Sequence, residues 1–297
     1  MTASTIPAER PQFEPALGRR KLSGTIFLGF CLLAILILLL ALVLLLFDVL
    51  REGLPWLDWD FLTGTPSRRP ESAGILPALV GSIQIAIIVG LVAFPIGVAA
   101  AVYLQEYARD SFINRLLRTN ISNLAGVPSI IYGILGLALF ARALGFGPTL
   151  ISGALTLVLL ILPVIILASI EALRAVPDSQ REGAFALGAS RWQMVRGTVL
   201  PAAMPGILTG IILAMARAIG EAAPLILVGA ATFVTFLPQP FTRYSVLPIQ
   251  VFQWASRPQA SFQGIAAATI IVILLLMLAL NALALILRVR LSRNIQW

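Results

Sequence analysis

Two charged residues, Arg217 and Glu221, stand inside a long apolar stretch of the chain, ARAIGEAAPLILVGA. A charge at the centre of a bilayer costs about 2.5–3.5 kcal/mol on insertion scales, so an intramembrane charge is a functional hypothesis by default. Their spacing of four residues places both on one face of a helix, where they can pair. Because a guanidinium presents a planar fork of donors that fits a tetrahedral oxyanion, the pair predicts an anion pathway. A purely structural salt bridge is the alternative.

A second constellation lies in residues 179–201, SQREGAFALGASRWQMVRGTVLP. Ser179 with Glu182, and Ser190 with Gln193, have the spacing of capping boxes, and Gly188 between them suits the left-handed end of a first helix. Apolar residues recur at helical spacing and predict one stripe, formed by Phe185, Gly188, Trp192, Val195 and Val199. Two short amphipathic helices in series indicate a docking surface for another protein. The alternative is an interfacial helix without a partner.

This stretch resembles the EAA loop of ABC-importer permease subunits, whose pattern is E-A-A, three residues, G, nine residues, then I-x-L-P. Gly183 and Thr198 depart from the pattern, which affects fine packing rather than the role. In that family the loop enters a groove of a cytoplasmic ATPase subunit and transmits its movement. The resemblance therefore implies that ATPase coupling involves Glu182, Gly183, Ala184, Gly188, Leu200 and Pro201.

From about Gly74 to Arg290 the chain resembles the PstA-type permease subunit of bacterial phosphate importers. The similarity is carried by residues 123–140, 162–179 and 200–230, and RAIGE followed by APL is its most discriminating part. Ala222 stands where many members have threonine. The resemblance implies an ABC type I importer permease fold with cytoplasmic coupling helices. It also implies a heterodimer with a PstC-type permease subunit, a cytoplasmic PstB-type ATPase dimer and a periplasmic PstS-type phosphate-binding protein, with phosphate as the substrate.

Composition shows which elements must position these residues. Of the 297 residues, 59% are hydrophobic and 11% charged, whereas soluble domains carry about 25% charged residues. The apolar runs are continuous and each is long enough to cross a bilayer, so we predict an all-α polytopic membrane protein. The six transmembrane helices are predicted at 25–47, 76–102, 120–140, 150–170, 205–230 and 264–287.

The spans divide the rest of the chain. We predict a disordered N-terminal tail over 1–24, a periplasmic loop over 48–75, a permease core over 76–290 and a C-terminal tail over 291–297. Segment 247–255 is predicted to form a short surface helix. Arginines and lysines number 14 in the inner segments and 6 in the outer segments, which places both termini in the cytoplasm of a bacterial inner membrane.

Several function classes are excluded by residues that the chain lacks. It has no histidine and a single cysteine, Cys31, so His-based catalysis, disulfides and Cys-rich zinc sites are excluded and no metal or cofactor is expected. The only lysine, Lys21, precedes Leu22, so no Walker A loop exists and the chain is predicted to be non-catalytic. The net charge of +8 comes from arginines dispersed among loops near membrane lipid, not from a nucleic-acid-binding stripe.

Other transport classes stay open at this point. A permease for another oxyanion, such as phosphonate, sulfate or molybdate, would keep the EAA loop but would not need the Arg217–Glu221 pair. An ion-coupled secondary transporter would use intramembrane acids, of which Glu221 is the only one available, and it has no reason to carry the EAA spacing. An intramembrane enzyme would lack the usual acid–base residues.

Overall fold

A computed structural model describes residues 17–230 and 233–292, in which all regular structure is helical. The chain forms two units, residues 1–48 and 49–297. The first unit contains most of helix α1 (Leu17–Gly53), whose large apolar side chains between Leu22 and Phe47 are exposed. This helix begins eight residues before the predicted span, because Leu17, Arg19, Arg20 and Lys21 are good helix formers. The predicted disordered tail is therefore wrong for residues 17–24, and its remainder lies outside the described residues.

The second unit begins with a short, folded connection between α1 and the core. Two 3₁₀ turns, Leu54–Trp56 and Pro70–Ser72, flank helix α2 (Trp59–Thr63). The side chain of Asp58 accepts a hydrogen bond of 2.7 Å from the Phe61 amide and so caps α2.

Three long helices form the centre of this unit: α3 (Leu76–Val102), α6 (Leu150–Arg174) and α9 (Leu200–Gly220). Small residues let their backbones approach closely, as membrane helices require. A methyl group built on Gly97 of α3 would lie 2.6 Å from Ile165 Cγ2 of α6. α3 continues through a wider, π-helical turn to Tyr107, and α12 (Ala260–Ser292) packs beside α9.

The third predicted span, 120–140, is wrong as a straight helix. Two helices, α4 (Phe112–Ala125) and α5 (Ser129–Gly136), meet there at an angle of 103°, and α5 continues as a π-helical turn to Ala143. The reason is Pro128, which lacks an N–H group and disfavours helical backbone at the residue before it. The described residues contain five helices able to cross a membrane, and this bent pair makes six.

The fifth predicted span, 205–230, is also interrupted. α9 ends at Gly220, Glu221 is extended (φ −80°, ψ 121°), and a short helix α10 (Ala223–Val228) follows. Pro224 cannot donate the hydrogen bond that would continue α9, so the helix stops before it. Gly229 then ends α10 with a left-handed φ of +99°.

Between residues 178 and 199 the chain leaves the bundle as two short helices, α7 (Asp178–Ala186) and α8 (Arg191–Met194). A π-helical turn, Val195–Val199, joins α8 directly to α9. Helix α11 (Leu247–Ala255) is not the surface helix that we predicted, because Leu247, Ile249 and Trp254 are almost fully buried. These apolar side chains gain more from packing beside α12 than from exposure.

Candidate functional site

Arg217 and Glu221 pair across the break between α9 and α10. Arg217 Nε lies 3.5 Å from Glu221 Oε1, and the two side chains are 43% and 20% exposed. The prediction that both share one face of a continuous helix is wrong, because Glu221 is extended and lies just past the end of α9. The ion pair therefore ties the last turn of α9 to the segment that leads into α10.

The position of Arg217 is favourable for a cation and unusual for a membrane helix. It lies in the last turn of α9, where the helix dipole stabilises positive charge. At 1.5 Å per residue it stands about 25 Å along the axis from Leu200, within the helical stretch Arg191–Gly220 that is long and apolar enough to cross a membrane. Leu213, Arg217 and Gly220 form one exposed stripe on α9, so the guanidinium emerges from an apolar surface.

Helix α5 holds α10, and with it the Glu221 segment, in place. A methyl group built on Gly133 would lie 2.7 Å from Pro224 Cα, so α5 and α10 meet backbone to backbone. Nearby, the Tyr132 hydroxyl donates a hydrogen bond of 2.9 Å to the Leu124 carbonyl. The outer face of α5 is apolar and exposed, through Ile130, Ile131, Ile134 and Leu135.

Of the predictions about helix ends in residues 179–201, one capping box is wrong, and the other box and the left-handed glycine are confirmed. The Ser179–Glu182 box is wrong: α7 begins at Asp178 after Pro177, which places Ser179 inside the helix, and no side chain caps it. The Ser190–Gln193 box is confirmed, with Gln193 N donating to Ser190 Oγ at 3.3 Å and Ser190 N donating to Gln193 Oε1 at 2.8 Å. The left-handed end at Gly188 is also confirmed, with φ of +80°.

The predicted apolar stripe separates into an anchor and an exposed patch. Val195 and Val199 are fully buried and hold the second helix on the core. Phe185 and Trp192 are 46% and 59% exposed, and Leu187 beside them in sequence is 90% exposed. We call Phe185, Leu187 and Trp192 the elbow patch. Sequence reasoning missed Leu187 because it lies off the helical spacing; its signal is an apolar residue next to a left-handed glycine.

The residues that match the EAA pattern lie in two places. On α7, Glu182 is exposed and makes no hydrogen bond or ion pair within the described part of the chain, Gly183 faces open space and Ala184 is half-buried. At the start of α9, Leu200 is half-buried and Pro201 exposed. The first group therefore presents an open surface, whereas the second belongs to the junction with the membrane helix.

An ion pair that the sequence did not predict connects α7 to the core. Arg181 Nη2 donates to Glu106 Oε1 at 2.9 Å, and the two side chains are only 14% and 5% exposed. Arg181 also donates to Asp178 Oδ1, to the Val176 carbonyl and to the Leu173 carbonyl at 2.7–3.0 Å. The hydrogen bond with Glu106 and its negative charge raise the pKa of Arg181. No local pattern indicates this pair, because its members are 75 positions apart.

Comparison with known proteins identifies the same architecture. Residues 93–295 match the family described as binding-protein-dependent transport system inner membrane component. The chain is 36% identical over 213 residues to the probable ABC transporter permease protein YqgI of Bacillus subtilis, which covers 72% of each protein. It is 34% identical over 279 residues to the phosphate transport system permease protein PstA 1 of Mycobacterium tuberculosis, covering 90% of each.

A solved structure shares the fold at low sequence identity. A bacterial ABC transporter involved in the import of the acidic polysaccharide alginate superposes with a TM-score of 0.67 at 15% identity, over 93% of this chain and 99% of that one. The family match and the identity to PstA-type relatives agree on one assignment. This chain belongs to the binding-protein-dependent transport system inner membrane components, and within them to the PstA-type ABC permeases.

Proposed function

We propose that this chain is the permease subunit of an ATP-driven importer of inorganic phosphate and forms one half of its translocation pathway. The observation that carries the proposal is the half-exposed Arg217, held by Glu221 on an apolar membrane-spanning surface. Its guanidinium offers charge and a donor fork to a tetrahedral oxyanion. The names of relatives such as PstA 1 of Mycobacterium tuberculosis support phosphate as that oxyanion.

In this proposal Glu221 limits how tightly the pathway holds phosphate. A lone arginine in a poorly hydrated site would bind an anion strongly and release it slowly. Glu221 competes for the same guanidinium, so phosphate passes Arg217 without being trapped. Because Glu221 lies between two helices, a shift of α10 relative to α9 would lengthen or shorten the ion pair and change the strength of this competition.

We further propose that α7 and α8 dock into a separate ATPase and transmit its movement. The elbow patch is apolar and exposed, which suits burial in a groove of a partner. Two connections lead inward: α8 runs through the Val195–Val199 turn into α9, and Arg181 joins α7 to Glu106 at the end of α3. Movement of the docked helices would therefore reach both α3 and the helix that carries Arg217.

The partners and the location follow from the same proposal. The pathway would be completed by a PstC-type permease subunit, energised by a PstB-type ATPase dimer and supplied by a PstS-type binding protein. The chain itself would be non-catalytic and span the bacterial inner membrane with both termini in the cytoplasm. In that orientation α7 and α8 face the ATPase.

Reconstitution of the chain with its partners in proteoliposomes tests the proposal. We expect ATP-dependent uptake of radiolabelled phosphate that excess sulfate, molybdate or phosphonate does not compete away, and we expect Arg217→Gln to abolish it. As a control, Arg243→Gln removes an exposed arginine elsewhere and should leave uptake unchanged. Uptake of a different oxyanion in preference to phosphate would reject the substrate assignment.

A further inference from the structure

Four arginines surround a polar cavity at the end of the core where α7 begins. The cavity measures about 370 Å³ and is lined in part by Arg109, Arg115, Arg118, Arg174, Gln105 and Asp110. These residues come from the end of α3, the connection from α3 to α4, the first half of α4 and the last turn of α6. Arg217 does not belong to the cavity, so this cluster is separate from the transport pathway proposed above.

The charges around the cavity are unbalanced. Arg174 Nη1 lies 2.9 Å from Glu171 Oε1, and Arg115 Nη1 lies 3.8 Å from Asp110 Oδ1 in a pair that is mostly exposed and therefore weak. Arg109 has no ion-pair partner among the residues that the structure describes. Four guanidinium groups against two carboxylates leave an excess of two positive charges around one small volume, which attracts an anion.

Gln105 holds two of the guanidinium groups side by side. Its Oε1 atom accepts hydrogen bonds from Arg118 Nη1 at 3.3 Å and from Arg174 Nε at 3.4 Å. Arg118 Nη2 also donates to the Leu104 carbonyl, which fixes the orientation of that side chain. Each guanidinium carries five N–H donors. Arg118 uses two of them, on Gln105 and Leu104, and Arg174 uses two, on Gln105 and Glu171. The remaining donors are available to a ligand.

We propose that this cavity binds a phosphate group, carried either by inorganic phosphate or by the headgroup of an anionic lipid. Both sources present a tetrahedral phosphate group with negatively charged oxygens, which paired guanidinium forks recognise bidentately. Phe112 and Ile113, 73% and 67% exposed in the first turn of α4, place the cavity beside an apolar surface. That neighbourhood favours the lipid headgroup, because basic residues beside an interfacial apolar face attract anionic lipids.

A ligand in the cavity would affect the attachment of α7 to the core. Gln105, which contacts two of the arginines, is followed by Glu106, which holds Arg181 of α7. A ligand that draws Arg118 and Arg174 away from Gln105 would act on the segment to which α7 is fastened. This link to coupling rests on the function proposed above, whereas the binding site itself does not.

The test measures binding to the full chain purified with its permease and ATPase partner subunits, without the phosphate-binding protein. One arm uses equilibrium dialysis of radiolabelled orthophosphate, in an Arg217→Gln background that removes the proposed pathway site. The other arm uses native mass spectrometry to count phosphatidylglycerol retained from nanodiscs of phosphatidylcholine and phosphatidylglycerol. The cavity variants are Arg109→Gln with Arg115→Gln, which keeps the contacts of Gln105, and Arg174→Gln. The matched control, Arg142→Gln with Arg243→Gln, removes two exposed arginines elsewhere.

We expect the cavity variants to lose at least tenfold in affinity for orthophosphate, or to lose the retained phosphatidylglycerol, while the control variant keeps both. Loss in the first arm identifies free phosphate as the ligand, and loss in the second identifies the lipid headgroup. Binding of neither ligand to the unmodified cavity overturns the proposal. An equal loss in the control variant also overturns it, because the binding would then reflect diffuse surface charge.

Discussion

Arg181 and Glu106 form a buried ion pair that fastens helix α7 to the end of α3, at 2.9 Å between Nη2 and Oε1. Removal of one partner of a buried ion pair leaves the other charge uncompensated, which costs about 3–5 kcal/mol. Because Arg181 also donates to two backbone carbonyls, its loss would release the start of α7 as well.

The first prediction concerns this fastening. We expect Arg181→Gln to lower the unfolding temperature of the purified protein and to reduce phosphate uptake more strongly than ATPase binding, since α7 could still dock. Arg142→Gln, which removes an exposed arginine outside α7, α8 and the turn that follows them, is the matched control and should change neither quantity. Full uptake in Arg181→Gln would show that α7 does not transmit force through Glu106.

The second prediction separates a pathway role of Arg217 from a structural one. We expect Arg217→Gln to abolish phosphate uptake and Glu221→Gln to impair it, and we expect the exchange Arg217→Glu with Glu221→Arg to remain inactive. The exchange keeps an ion pair but moves the cation out of α9 into the extended residue beyond it. Uptake is measured in proteoliposomes, and membrane levels by immunoblot. Substantial recovery in the double variant would favour the structural salt bridge.

The third prediction compares two glycines that both face open space. Gly188 has φ of +80°, whereas Gly183 lies in helical backbone within α7. Alanine in left-handed backbone costs about 1–2 kcal/mol, so Gly188→Ala should distort the elbow between α7 and α8 and weaken both ATPase binding and uptake. Gly183→Ala should stabilise α7 by about 0.5–1 kcal/mol, because glycine is a poor helix former.

Co-purification of the ATPase with each variant measures the difference, and thermal unfolding reports the stability. Equal behaviour of the two alanine variants would contradict a requirement for the left-handed elbow.

The fourth prediction tests the elbow patch directly. Leu187 is 90% exposed and contributes nothing to the core, so Leu187→Gln should leave the unfolding temperature within about 1 °C of the original, as surface substitutions usually change stability little. We expect the variant to lose co-purifying ATPase and phosphate uptake together. Leu237→Gln, at an exposed leucine outside α7 and α8, is the control. Normal ATPase binding by Leu187→Gln would remove this leucine from the interface.

The number and location of the membrane helices could be predicted because a long run of apolar residues is visible in the sequence itself, whatever the helix packs against. The predicted α3 and α6 segments agree with the structure at their starts, Leu76 and Leu150. Hydropathy could not place the break at Glu221, since the flanking residues are apolar on both sides, whereas at Pro128 the polar α4 gives way to the apolar α5. Proline gave the signal in both cases, but proline also occurs inside unbroken helices here, at Pro95 and Pro163.

For the candidate site, features set by local spacing could be predicted, whereas those set by contacts between distant segments could not. Arg217 and Glu221 are four residues apart, so local spacing predicted their pairing even though the helix between them ends. The second capping box and the left-handed Gly188 are likewise local and were predicted. Arg181 with Glu106, and the arginine cavity, depend on which helix ends meet in three dimensions. No spacing within one segment carries that information.

The bend at Pro128 also shortens the helix that is available to cross the bilayer in the third span. Only Ser129–Ala143 continues beyond the bend, and 15 residues at 1.5 Å each reach about 22 Å, short of a hydrocarbon core of about 30 Å. Such hydrophobic mismatch is relieved when the bilayer thins or when a neighbouring subunit shields the deficit. We therefore expect the rate of phosphate uptake to depend on the acyl-chain length of the lipids. Shorter chains should favour the conformations in which α5 lies closest to the membrane normal.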